Sequence, residues 1–148
     1  MYVLLIGDNV LVIGDIVGPD AVAYLAGRLP ELRLAYDLDL VVANGENCAV
    51  TAPTPWTGFG MTLDLVDLLL QSGVDVVISG DHGWDGSEAD AVHRHPRVLK
   101  PHNVPEGVAG KGVVTLEFGG ERCRWSTSAA LPPCPMPCSL TTRGWPPG

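Results

Sequence analysis

Carboxylate, amide and imidazole side chains occur directly after three short apolar runs of this chain. The runs are Val10 to Ile13, Leu38 to Ala43 and Val74 to Ser79, and the polar residues that follow them are Asp15, Glu46 with Asn47, and Asp81 with His82. If the runs are parallel strands, their carboxyl ends lie at one sheet edge, where open α/β folds bind ligands. Carboxylates gathered there repel one another unless cations neutralise them. The pattern therefore predicts a metal site, and a metal site of this kind indicates phosphate chemistry.

Glu46 and Asn47 are the pair that a purely structural explanation accounts for least well. The run Asn44-Gly45-Glu46-Asn47 could form a simple turn, since Asn and Gly favour turns. Such a turn needs neither a glutamate nor two asparagines, whereas a divalent cation prefers carboxylate and amide oxygens. Asp15 taken alone is more typical of a turn or a helix N-cap. We prefer it to Asp8 because a glycine and a helix start follow Asp15 only.

His82 is the candidate for proton transfer. Beside a metal-bound phosphate, an imidazole can protonate the departing oxygen because its pKa lies near neutrality. A single histidine is more often a packed or exposed loop residue, but the neighbouring Asp81 at a third strand end favours a catalytic role. His93 and His95 are predicted to lie at a solvated helix end, and His102 in a polar surface loop.

Composition restricts the classes of protein and of partner. A chain of 148 residues with 46% hydrophobic content fits one domain with a real core. The net charge of −8 argues against general affinity for nucleic acid or anionic membrane. We find neither a run of membrane-spanning length nor a basic leader, and the four cysteines show no disulfide or zinc spacing, so we expect a cytoplasmic protein.

The order of elements predicts an α/β fold with a mostly parallel sheet and flanking helices. A helix should start at Gly18-Pro19-Asp20 and end or kink at Pro30, and a second should follow a Thr62 cap, with Leu65, Val66, Leu68, Leu69 and Leu70 facing inward. A short third helix should be capped by Ser87, and a hairpin should span Val113 to Trp125. We assign residues 1–125 to the domain and residues 126–148 to a proline-rich, disordered tail.

The polar motifs and their order resemble one family. The runs Ile13-Gly14-Asp15-Ile16-Val17-Gly18, Asn44-Gly45-Glu46-Asn47, Gly80-Asp81-His82-Gly83-Trp84-Asp85 and Arg97-Val98-Leu99-Lys100-Pro101 are similar to those of the bacterial YmdB-like calcineurin-type metallophosphoesterases. The resemblance implies the first half of an α/β/β/α sandwich and hydrolysis of a small phosphodiester such as a 2′,3′-cyclic nucleotide. It implies two divalent metals (iron, manganese or zinc), with Asp15, Glu46, Asn47 and Asp81 as ligands and His82 as the acid.

The chain departs from the family pattern in ways that predict impaired activity. Asp81 stands where the family usually has asparagine, and the loop between Asn47 and Gly60 is longer. The family's second half supplies further histidine ligands, which we do not find after His102. Our hypothesis is that a frameshift near Gly120 to Arg122 replaced that half. The sheet face that meets the second sheet would then be exposed, and we expect poor solubility or self-association.

Two other functions remain to be compared with a phosphodiesterase. The first is a non-catalytic α/β binding or assembly module with a degenerate metal pocket, which retained hydrolysis would exclude. The second is a dinucleotide-binding domain. Gly14-Asp15-Ile16-Val17-Gly18 lacks the Gly-x-Gly-x-x-Gly spacing that lets the backbone approach a pyrophosphate, so the sequence argues against it.

Overall fold

A computed structural model describes residues 3–6, 9–51, 59–118 and 121–128. Within these ranges the chain forms a five-stranded sheet, a separate hairpin and helices on the sheet. The sheet strands are β1 (Val3–Ile6), β2 (Val10–Ile13), β3 (Leu40–Asn44), β4 (Val76–Ile78) and β5 (Val98–Leu99), and the hairpin pairs β6 (Val113–Phe118) with β7 (Glu121–Ser126). The helices are α1 (Pro19–Ala35), α2 (Leu63–Gln71) and α3 (Ala89–Arg94), with a 3₁₀ turn at Asp81–Trp84.

The sheet confirms the predicted fold class. Its strand order is β1-β2-β3-β4-β5, in which β2 to β5 are parallel and β1 runs antiparallel to β2. The central strand β3 reads Leu-Val-Val-Ala-Asn and is buried on both faces, as a parallel strand covered on both sides should be. Four parallel strands therefore end at one edge, and the polar motifs follow three of those ends.

Helix α1 starts where the sequence predicts but does not end at Pro30. Pro19 occupies its first turn, and Val22, Leu25 and Leu29 form the buried stripe. The predicted end at Pro30 was wrong, since α1 continues to Ala35; Pro30 lies on its exposed side and lacks the N–H that would bond the carbonyl four residues earlier. The following turn is held in place by Arg33, whose Nη1 lies 2.8 Å from Asp75 Oδ2.

The other two helices correct details of the prediction. The Thr62 cap is confirmed, since its Oγ1 accepts a hydrogen bond from Leu65 N at 3.4 Å. Leu68, however, is exposed, because the apolar run in α2 is wider than the stripe that the sheet can cover. The cap of α3 is Glu88 rather than Ser87, and its side chain instead accepts from Leu63 N at 2.9 Å, which ties α3 to α2.

Two apolar clusters hold the sheet, one on each face. The larger lies under α1 and α2 and includes Ile13, Val41 and Leu69. The smaller consists of Val10, Leu40, Val42, Val76 and Leu99, with Val114, Leu116 and Trp125 of the hairpin packed against it. These five sheet residues are at most 5% exposed, so the expectation that this face is bare was wrong where the structure describes it.

The region after the hairpin can be described only at its start. Ser126 belongs to β7, and Thr127 forms a bridge with Pro101, so β pairing continues two residues beyond the predicted domain boundary. The rest of the predicted tail, residues 129–148, lies outside the described residues. Among the helices that the structure describes, none is long and apolar enough to cross a membrane.

Candidate functional site

Backbone hydrogen bonds join the three polar loops beyond the ends of their strands. Ile16 N donates to Asn44 O at 3.0 Å, and Gly45 N donates to Ile78 O at 3.1 Å. Val17 and Asn47 form a further parallel bridge. The loops after β2, β3 and β4 are therefore neighbours at one edge of the sheet, as the strand order predicts.

Asp15 and Asn47 form the first pair of side chains. Asn47 Nδ2 donates to Asp15 Oδ1 at 2.7 Å, although the two residues are 32 positions apart. Asn47 is buried, and its Oδ1 atom has no hydrogen-bond partner. Asp15 is exposed and holds a left-handed backbone conformation with φ 29°, which side chains other than glycine, asparagine and aspartate rarely adopt. The loop thus presents one carboxylate and one unsatisfied amide oxygen together.

Glu46 connects the second loop to the third. Its Oε1 accepts from Asn44 Nδ2 at 3.2 Å, and its Oε2 accepts from the backbone N–H of His82 at the same distance. Asn44 Oδ1 also accepts from Glu46 N at 2.9 Å, which closes the turn. Gly80 packs against this carboxylate so closely that a Cβ there would overlap it. The position of Glu46 is therefore fixed from both loops.

His82 is held by an aromatic ring and a carboxylate. Its ring stacks on Phe59 with centroids 4.3 Å apart, and its Nδ1 lies 2.8 Å from Asp85 Oδ2. The hydrogen bond to Asp85 raises the pKa of His82; partial burial opposes this, and the charges of Asp81, Asp85 and Glu46 add to it. His82 thus stays protonated to higher pH than an ordinary histidine, which suits a general acid.

Asp81 begins the 3₁₀ turn and is exposed. Its neighbours along the chain, Gly80 and His82, both contact Glu46, which places Asp81 at the same loop cluster. The structure therefore brings the five predicted residues to one sheet edge, with Asp15 bonded to Asn47 and Glu46 bonded to His82.

The sequence analysis did not predict that Asp85, Phe59 and His93 belong to this site. Asp85 lies within the recognised motif, and its spacing of three residues from His82 on a 3₁₀ turn could have indicated the contact. Phe59 lies in a loop, where no periodicity marks it. His93 was predicted to lie at the surface, which was wrong: it is 1% exposed, because α3 buries positions 89, 92 and 93 together.

Comparison with known proteins gives the family. The model of the family described as YmdB-like protein matches residues 11–126. The chain belongs to this family. A relative from Bacillus subtilis, named 2′,3′-cyclic-nucleotide 2′-phosphodiesterase, is 34% identical over 114 residues, which are 76% of this chain and 40% of that protein.

Two crystal structures share the fold. A hypothetical protein from Thermus thermophilus is 38% identical with a TM-score of 0.69, over 80% of this chain and 44% of that one. A phosphatase from Mycoplasma pneumoniae is 24% identical with the same TM-score, over 88% of this chain and 45% of that one. This YmdB-like chain thus spans less than half the length of each of these relatives.

Asn47 and Glu46 of this YmdB-like chain carry oxygens of the kind that a divalent cation prefers. Asn47 Oδ1 is a buried oxygen without a partner, and each carboxylate oxygen of Glu46 accepts one hydrogen bond and has a second lone pair. Oxygens of this kind suit hard or borderline divalent ions. Across the residues that the structure describes, however, no group of three or more His, Cys, Asp or Glu side chains is arranged to hold a metal.

Proposed function

We propose that this chain carries part of a metal-dependent phosphodiesterase site that hydrolyses 2′,3′-cyclic nucleotides. The observation that carries the proposal is the hydrogen bond from His82 N to Glu46 Oε2, because it joins a carboxylate suited to a metal to a histidine suited to act as an acid. The Bacillus subtilis relative, named for this activity, supports the substrate class.

Each residue of the site has a role in this proposal. Asp15, Glu46, Asn47 and Asp81 would hold divalent cations, with Glu46 in the loop after β3 and in contact with the loop after β4. When bound, such cations polarise a phosphoryl oxygen and lower the pKa of a coordinated water. Iron, manganese and zinc each suit ligands of this kind.

His82 supplies the proton in the hydrolysis. Water adds its oxygen to phosphorus, the bond from phosphorus to one ribose oxygen breaks, and that oxygen needs a proton to leave. Because Nδ1 of His82 is paired with Asp85, the proton would come from Nε2. The Phe59 ring fixes the plane of the imidazole, so Nε2 keeps one direction.

We further propose that turnover by this chain is weak. Of its four metal donors only Asp15 and Asn47 contact one another, and no three acidic, histidine or cysteine side chains are grouped for a metal in the described residues, so we expect a cation to bind loosely. The same observation favours the second candidate, a non-catalytic α/β binding or assembly module whose degenerate metal pocket holds a cation without hydrolysis.

The test is metal content and manganese-stimulated hydrolysis of 2′,3′-cyclic AMP on purified protein of checked size. We expect bound metal, measurable turnover and a loss of about 100-fold in Glu46→Gln, since exchanging a ligand removes both charge and coordination. Glu31→Gln on the exposed face of α1 is the matched control and should match the parent. Metal binding without turnover would support the binding module. A protein with neither bound metal nor turnover would exclude both candidates.

A further inference from the structure

His93 forms a buried polar contact directly behind the candidate site. Its ring is 1% exposed, and its Nε2 lies 2.9 Å from the hydroxyl of Ser79, which is equally buried. Its Nδ1 lies 2.8 Å from the carbonyl oxygen of Ala89. One face of the ring stacks on Trp84 with centroids 4.3 Å apart and planes within 4°.

These contacts determine where the protons lie. A carbonyl oxygen can only accept, so Nδ1 of His93 carries a hydrogen and donates to Ala89 O. Nε2 of the neutral ring is then an acceptor, and the Ser79 hydroxyl donates to it. Burial lowers the pKa of His93, the Ala89 carbonyl and the Asp90 charge oppose this, and the charge of Lys100 adds to the lowering. The ring therefore stays neutral, as this arrangement requires.

Two of the three partners of His93, Ser79 and Trp84, lie on either side of the segment that carries Asp81 and His82. Ser79 follows β4 directly, and its backbone N–H donates to Leu99 O at 2.9 Å, so it belongs to the rigid sheet. Trp84 ends the 3₁₀ turn. Between them, a Cβ at Gly83 would lie 2.8 Å from Ser79 Oγ and 3.1 Å from His93 Nε2. The turn is therefore packed directly onto the Ser79–His93 contact.

We propose that His93 is a positioning residue that holds the Asp81–Trp84 turn against the sheet through Ser79 and Trp84. It touches neither substrate nor metal, and it acts by keeping His82 in reach of Glu46. This role rests on the function proposed above for His82. Without His93 or its hydroxyl partner, the turn would open locally while the sheet stays folded.

Two substitutions separate this role from general stability. Ser79→Ala removes the hydrogen bond to His93 with little change of volume. His93→Phe removes the hydrogen bonds to Ser79 and to Ala89 O and keeps a ring to stack on Trp84. Ser72→Ala is the matched control, because its hydroxyl donates to Leu69 O at 2.7 Å at the far end of α2. The first measurement is amide hydrogen exchange of His82, Gly83 and Asp85 by NMR, against the core amide of Val77, which donates to Arg97 O.

We expect exchange at the turn amides to accelerate about tenfold in Ser79→Ala and more in His93→Phe, with Val77 nearly unchanged. The same variants should lower kcat for 2′,3′-cyclic AMP and leave KM within about twofold. Equal acceleration of the turn and of Val77, or no acceleration, would overturn the positioning role. If the parent protein shows no hydrolysis, the proposed function fails, and amide exchange alone still decides whether His93 holds the turn.

Discussion

Asp85, three positions after His82, affects the pKa of the His82 imidazole. The carboxylate of Asp85 raises the pKa of His82 through a hydrogen bond of 2.8 Å. A base whose pKa is raised stays protonated until the pH passes that raised value. As an acid in hydrolysis, His82 would therefore remain active at pH values where an ordinary histidine has lost its proton.

Asp85→Asn should move the alkaline limb of the pH–rate profile to lower pH. The amide can still accept a hydrogen bond from Nδ1 but no longer stabilises the imidazolium by charge, so the pKa of His82 falls towards its ordinary value. The measurement is kcat/KM for 2′,3′-cyclic AMP from pH 5 to 9. Asp90→Asn, which removes an exposed carboxylate paired with Arg94, is the control and should keep the parent profile. An unshifted limb in Asp85→Asn would contradict the assignment of His82 as the acid.

At the scale of elements, Gly27 and Gly80 differ in whether a side chain would fit at their position. Gly27 lies on the exposed side of α1, and an added Cβ would meet no atom within 4 Å. Gly80 lies at the end of β4, where an added Cβ would overlap the Glu46 carboxylate. The first glycine only weakens a helix, whereas the second makes room for a side chain of the site.

We expect Gly27→Ala to raise the free energy of unfolding by about 0.5–1 kcal/mol, because alanine has the higher helix propensity. Gly80→Ala should displace Glu46 and lower hydrolysis at least about tenfold through the lost ligand position. Urea unfolding and manganese-stimulated turnover measure the two effects. Full activity in Gly80→Ala would show that the position of Glu46 beside Gly80 is not required.

The elements also show what the sequence could and could not predict. The strand ends were predictable because each apolar run of four to six residues is followed at once by a glycine or polar turn. The length of α1 was not, because the cost of one proline inside a helix can be offset by packing of the buried stripe, and that packing is known only from the fold. The burial of His93 was not predictable either. The short polar helix α3 has no apolar periodicity that would mark its buried side, so that side is known only once its neighbours are known.

For the molecule as a whole, the hairpin covers the sheet face opposite the helices. Val114 and Trp125 are opposite one another in the hairpin register, and both pack on the smaller apolar cluster. Neither local propensity nor the polar motifs indicate this contact, since it joins strands far apart in sequence. The contact means that the hairpin shields surface that would otherwise favour association.

Trp125→Ala should therefore expose the smaller cluster and increase self-association. Removing the indole uncovers part of this buried apolar cluster. Light scattering after size exclusion, together with binding of an apolar dye, measures the change over a concentration series. Val113→Ala on the exposed side of the same hairpin is the control. A monodisperse Trp125→Ala protein without dye binding would show that the hairpin does not shield the sheet.

The stability of the whole fold should also depend on pH through His93. Because burial lowers the pKa of His93 below the ordinary value of 6.5, the unfolded chain binds more protons than the folded one between the two values. The free energy of unfolding then falls as the pH drops below about 6.5. His93→Phe should lose less stability between pH 7 and pH 5 than the parent, as measured by urea unfolding at each pH, whereas Ser72→Ala should keep the parent's slope. An equal loss in His93→Phe would mean that other groups carry the pH dependence and that His93 titrates alike in both states.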